Sequence, residues 1–116
     1  MDDLPLFTNA GMLPVMTAMT CLVGNFSDPY QIILSEALLL KADGGVAAAW
    51  VPTGLSDDAQ ASILNREFYK AYFKSAGKTA IGDIVRQALS AYKSKGTLPF
   101  MMDIYNILGD PALKIR

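Results

Sequence analysis

Between two clusters of helix-breaking residues lies the run Val46-Ala47-Ala48-Ala49-Trp50-Val51, apolar without interruption. Asp43-Gly44-Gly45 precede it, and Pro52-Thr53-Gly54 follow it. A segment this short between such breakers is too brief for a helix, so the spacing predicts a strand over 46–51. No position in it turns polar. Both faces must therefore be covered, which is the pattern of a parallel strand flanked by helices. Three consecutive alanines fill little volume, so a helix must lie close over this strand.

A second apolar run, Pro14-Val-Met-Thr-Ala-Met-Thr20, predicts a strand over 14–20. After it, Asp28-Pro29 reads as a helix start, with Asp28 as N-cap and Pro29 at the first helical position. Ile32, Ile33, Ala37, Leu38 and Leu40 extend that helix over 29–42, where Asp43-Gly44-Gly45 stop it. Ser56 or Asp57 caps a long helix over 57–73, whose inner face carries Ile63, Leu64, Phe68, Ala71 and Tyr72. Thr79 caps a helix over 79–94 with Ile81, Ile84, Val85, Ala88, Leu89 and Tyr92 inward, stopped by Gly96. The segment from Phe100 to Leu108 has no clear period. Gly109-Asp110-Pro111 reads as a turn, and 112–115 as a terminal strand. Strand–helix–strand–helix alternation argues α/β with parallel pairing. Two strands do not make a stable sheet, so the chain reads as the C-terminal part of a larger α/β domain.

Composition removes several function classes. The net charge is −1 over 116 residues, which leaves no basic stripe for nucleic acid. The lysines and arginines from Arg66 to Lys95 sit at helical spacing and read as a solvated face. One cysteine and no histidine make an internal disulfide impossible and zinc improbable, and no cofactor is expected. No apolar run reaches membrane-spanning length. Met1-Asp-Asp-Leu-Pro5 is acidic and lacks the basic start of a signal peptide. Gly77-Lys78-Thr79 matches only the end of a phosphate-binding loop, since Tyr72 stands where its first glycine belongs. The pairs Asp2-Asp3 and Asp57-Asp58 read as caps and turn residues, and Asn25-Phe26-Ser27 as a chance sequon.

Cys21 is where chemistry could reside. It lies where the first strand opens into a loop, and in open α/β sheets sites form at the carboxyl ends of strands. Pro52 to Ser56 occupy the same position after the second strand. If the strands are parallel neighbours, both loops border one crevice. Gly24 would allow close backbone approach, and Asn25 or Ser27 would offer hydrogen bonds. Trp50 is either core or pocket wall. A nucleophilic cysteine normally needs a base, usually histidine, and this chain has none. Cys21 is therefore either an inert thiol or half of an active site.

The segment Leu13-Pro-Val-Met-Thr-Ala-Met-Thr-Cys21-Leu-Val-Gly24-Asn-Phe26-Ser-Asp-Pro29 resembles the catalytic-cysteine segment of gingipain-type cysteine peptidases, family C25. Leu34-Ser-Glu36-Ala-Leu-Leu-Leu40 resembles a helix of that family. Gly44-Gly45-Val-Ala-Ala-Ala-Trp50 with Thr53-Gly54-Leu-Ser56 resembles its strand and specificity loop. Tyr105-Asn-Ile-Leu-Gly-Asp-Pro-Ala-Leu113 resembles the segment that closes its catalytic domain. The resemblance runs in order over nearly the whole chain. It implies a caspase-like fold with a parallel-rich sheet flanked by helices, and a single partial domain over 1–116, the cysteine half of the catalytic domain. It also implies Cys21 as the acyl-forming nucleophile. The family's histidine base sits in a His-Gly pair on an upstream strand beside the cysteine strand, so Met1 resembles an internal start. The resemblance makes Gly24, Asn25, Trp50, Thr53, Gly54 and Ser56 the substrate-binding candidates, with a peptide or protein as substrate. A secreted or cell-surface location is implied by the family alone.

Two readings remain open on sequence. One is part of a cysteine endopeptidase, inactive by itself. The other is a non-catalytic α/β interaction or assembly module with a structural Cys21. A flavodoxin-type nucleotide-binding domain has the right alternation but lacks a glycine-rich loop after either strand. A homodimer through the exposed edge of the cysteine strand is expected, unless residues 1–13 or 112–115 cover that edge.

Overall fold

The computed structural model describes residues 2–115. Its centre is the strand β2, Ala48–Pro52, every residue of which is buried. On one side β2 pairs in parallel with β1, Val15–Thr17, in the register Val15–Ala48, Met16–Ala49 and Thr17–Trp50. On the other it pairs antiparallel with β3, Tyr105–Gly109, with Trp50 opposite Ile107. The sheet order is β1-β2-β3, so among the described residues β1 has a strand neighbour on one side only.

Residue alternation gives the sheet two buried faces. Ala48 and Trp50 join the main core with Leu64, Phe68, Ile81, Ile84, Val85, Ala88 and Tyr92. These come from α2, Asp58–Ser75, and α3, Ile81–Lys95, which pack against each other. Trp50 stacks on Phe68 with ring centroids 5.0 Å apart and meets Tyr105 at 5.5 Å. Ala49 and Val51 point the other way and are equally buried. α1, Leu34–Leu39, contacts β2 and β3. The short helix α4, Met101–Ile104, leads directly into β3.

The long helices follow the sequence closely. Asp57 caps α2 by accepting from the Gln60 N–H at 3.0 Å. Leu64, Phe68 and Ala71 are buried, while Ile63 and Tyr72 pack at the margin. In α3 the expected inner face is buried except for Leu89, which is half-buried, and Gly96 follows the last turn. α3 starts at Ile81 with Ala80 as its cap residue rather than Thr79, and no side chain caps it.

Four expected boundaries are corrected. The helix expected over 29–42 spans only Leu34–Leu39. Asp28 takes the Tyr30 N–H at 2.9 Å in a local turn, so its carboxylate is not capping a helix. Residues 31–33 then run without regular structure, and Ile33 is extended. The first strand is shorter than 14–20, although the Ala18 N–H still reaches Trp50 O at 3.3 Å. The central strand begins at Ala48 rather than Val46, because the Val46 N–H is turned to Leu38 O. The terminal strand over 112–115 reduces to a single bridge, Ala80–Lys114, beside an Ile81 N–H bond to Leu113 O. The sheet's third strand lies instead in the segment without a clear period, and it is antiparallel.

Among the described residues, neither terminal segment adds a strand to the β1 edge. Asn9 instead clamps Gly45, accepting its N–H at 2.8 Å and donating to its carbonyl at 3.0 Å. Gly45 sits at φ +98°, a conformation glycine adopts at no steric cost.

Two stability outcomes follow from the α2–α3 layer. A Cβ added at Gly96 would fall 2.1 Å from Tyr92 Cζ, and the Tyr92 hydroxyl is held by Gln60 Oε1 at 2.8 Å. Gly96→Ala should therefore cost about 1–3 kcal/mol by overpacking, read from urea unfolding; an unchanged midpoint would show that the ring moves aside. The Glu67 carboxylate accepts from Lys95 at 2.9 Å and Lys70 at 3.0 Å. These hydrogen bonds, that from Lys95 first, hold its pKa below the ordinary 4.5. Its contribution is thus present above that value and fades as pH falls through the depressed one. Glu67→Gln should lower the melting temperature at neutral pH and leave it unchanged in strong acid. An equal loss at both pH values would show that the ion pairs contribute nothing.

Candidate active site

Beyond β1 the chain turns at Cys21–Gly24 and runs back along the carbonyl row that extends from β2. The Leu22 N–H donates to Gly54 O at 3.1 Å, and the Gly24 N–H to Pro52 O at 2.9 Å. Leu22, directly after the cysteine, is held at φ +62°. For a non-glycine residue that conformation costs about 1–2 kcal/mol. It is secured by the Leu22 N–H bond and by the Asn25 N–H donating to Leu22 O at 3.1 Å. A third anchor comes from α1, where the buried Ser35 hydroxyl donates to Val23 O at 2.6 Å.

This tight turn presents Cys21 as an exposed free thiol. Among the described residues, its side-chain contacts with hydrogen-bonding geometry go to Ser56. The Ser56 N–H points at Sγ at 3.3 Å, and Sγ lies 3.5 Å from Ser56 O as a thiol donor. Ser56 is fixed in turn by Tyr105, its hydroxyl 2.9 Å from the Tyr105 hydroxyl. Burial pushes the Tyr105 phenol above its ordinary value, with the Ser56 bond opposing.

The expected crevice partners fall into four places. Ser56 meets the sulfur directly. Thr53, Gly54 and Gly24 build the platform: Thr53 gives both its N–H and its hydroxyl to Ile104 O, at 2.8 and 3.0 Å. Gly24 is buried, and a Cβ there would meet Val51 Cγ2 at 2.5 Å, so its missing side chain serves packing in this chain. Asn25 is half-buried, its Oδ1 accepting from the Ser27 hydroxyl at 2.6 Å. Trp50 is fully buried between Phe68 and Tyr105 and lines no surface beside the thiol. Of its two sequence readings, core is the one observed. Tyr105 is the residue the sequence did not mark, since its link to Ser56 spans 49 positions and leaves no local signal. Among the described residues, no group of three or more cysteine, aspartate or glutamate side chains could hold a metal ion.

The sequence matches peptidase family C25 over residues 1–116. No curated protein matches it. Among solved structures, the fold is similar to the crystal structure of the Arg-specific cysteine proteinase gingipain R (RgpB). The identity is 22%, the TM-score 0.88, and the match covers 99% of this chain and 28% of that one. The complex of the Porphyromonas gingivalis RgpB pro- and mature domains is equally similar, at 22% identity and a TM-score of 0.88, covering 99% and 29%. The chain thus spans under a third of either protein. The caspase-like α/β architecture expected from the sequence is the one these structures share with it.

Exposure of the thiol has a direct consequence. Cys21 should react with one equivalent of a disulfide reagent in native buffer, at a rate that does not wait on unfolding. Reaction only after denaturation would mean that the turn closes over the sulfur in solution.

Proposed function

This chain belongs to peptidase family C25, and on that basis we propose that residues 1–116 are the cysteine half of a cysteine endopeptidase catalytic domain. Cys21 is its nucleophile. The carrying observation is the strained turn that holds an exposed thiol at the carboxyl end of the sheet, beside a free strand edge. The thiolate would attack a peptide carbonyl carbon. The S–C bond forms, the amine leaves with a proton, and water releases the acyl group.

The chain has no histidine, so the base comes from outside these residues. The β1 edge is the place for the strand that carries it. Apolar surface is open beside that edge. A groove of about 220 Å³ is lined by Pro14, Val15, Phe68, Tyr69, Tyr72 and Ile115. Surface of this kind favours a docked partner layer. Ser56 meets the thiol, Gly54 and Asn25 bond the backbone of Leu22 next to it, and these are the residues we assign to substrate contact, with a peptide or protein as substrate. Among the described residues no helix is long and apolar enough to cross a membrane.

The second reading, a non-catalytic module, draws on the same bonds: a sulfur held by both backbone groups of Ser56 also serves to fasten two loops. Activity separates the two. The 116-residue chain alone should turn over no fluorogenic peptide, falling on the order of 10⁴-fold or more below an intact site. A longer protein containing these residues should cleave, and Cys21→Ala should abolish that cleavage. Turnover by the short chain that vanished in Cys21→Ala would overturn the half-site proposal. Undiminished cleavage by the long protein carrying Cys21→Ala would favour the module.

A further inference from the structure

The bonds around Ser56 form a relay behind the thiol. The Ser56 N–H at 3.3 Å from Sγ suits a sulfur that carries negative charge, because a thiolate is a strong acceptor. The Ser56 carbonyl at 3.5 Å suits the protonated form, but a thiol is a weak donor and this is the longer contact. One residue therefore offers a partner to each protonation state, and the better partner goes to the thiolate. That advantage exists only while the backbone of Ser56 stays against the sulfur. Asp57 on one side is tied to α2 as its cap and Gly54 on the other is bonded to Leu22, but the side chains of Leu55 and Asp57 are exposed and pack nothing against Ser56. The side-chain hold on Ser56 itself is the hydroxyl pair Ser56–Tyr105, 2.9 Å apart. Tyr105 opens β3, is almost fully buried, and leans its ring on Trp50.

We propose that Tyr105 is a positioning residue for the cysteine: through the Ser56 hydroxyl it holds the Ser56 N–H against Cys21 Sγ, and so favours the thiolate. This deepens the reading of Cys21 as nucleophile and rests on it for its catalytic meaning. The physical linkage can be measured without catalysis. Alkylation by iodoacetamide forms an S–C bond, expels iodide and passes the thiol proton to solvent, so its rate follows the thiolate fraction.

The test compares the pH profile of Cys21 alkylation in the 116-residue chain with Tyr105→Phe, Ser56→Ala and the double variant. Tyr105→Phe keeps the ring on Trp50 and removes only the hydroxyl. Each single variant should shift the profile to higher pH and slow alkylation at neutral pH about threefold to tenfold, the range set by one hydrogen bond. The plateau at high pH should stay unchanged, because exposure scales the plateau and not the midpoint. The double variant should do no more than either single one, since both remove the same bond. An unmoved profile with a lowered melting temperature would make Tyr105 merely structural and overturn the proposal. So would additive shifts. If a variant fails to fold, Ser56→Thr, which retains the hydroxyl, supplies the comparison: it should keep the wild-type profile, and a profile shifted to higher pH would overturn the proposal. Loss of the nucleophile reading shows separately, as cleavage by the longer protein that survives Cys21→Ala.

Discussion

The carbonyl row of one buried strand organises this chain. β2 has no exposed residue, so its position is fixed by packing on both faces before any loop is considered. The Trp50–Phe68 stack anchors one face. Stacked aromatic pairs of this kind add about 0.5–1.5 kcal/mol beyond the area they bury. The same strand and its extension then accept, in order, the Ala18, Gly24 and Leu22 N–H groups on Trp50, Pro52 and Gly54. The cysteine turn is therefore hydrogen-bonded to the most rigid element available. Its strained Leu22 is tolerable because three separate anchors over-determine the backbone there.

Where the sequence could be read, a local rule and the tertiary fold agree. The glycines before Val46 and Thr53-Gly54 after Pro52 bracket the central strand, and the apolar spacing in 57–94 gives two helices with the right inner faces. Where it could not, two rules competed. Asp28-Pro29 is a good helix start and also a good turn; the turn wins because the Asp28 carboxylate meets the Tyr30 N–H first. β3 carries no alternation strong enough to announce a strand. It exists because β2 offers it a partner and because Gly109, at φ +116°, carries no Cβ, which would lie only 3.0 Å from Ala47 O and Ala48. Trp50 sits at a strand end whose direction no local feature decides, and only Phe68 and Tyr105 together bury it. The Tyr105–Ser56 contact was invisible for the same reason. Cys21 itself was legible as a candidate, since a lone thiol at a strand-to-loop junction stands out in a chain without histidine.

A half site of the kind proposed has a geometric logic. β1 and β2 run parallel, so their carboxyl ends and following loops share one end of the sheet. A further strand added in parallel to β1 would bring its own carboxyl end to that side, and with it a base carried on the next loop. The same strand would cover the apolar groove beside Val15 and Phe68. On that proposal, supplying the base and completing the core would be one structural event, coupling activity to assembly.

That coupling bears on how the thiol is kept before assembly. The sulfur is exposed, but its backbone is not free, and its nearest hydrogen-bond partners lie within the chain on Ser56. If Cys21 is the nucleophile, the Ser56 N–H is already in place to receive the negative sulfur when its proton is taken. On the positioning proposal that hold would be transmitted from β3 through Tyr105, so the antiparallel strand that the sequence concealed would also set the sulfur's surroundings.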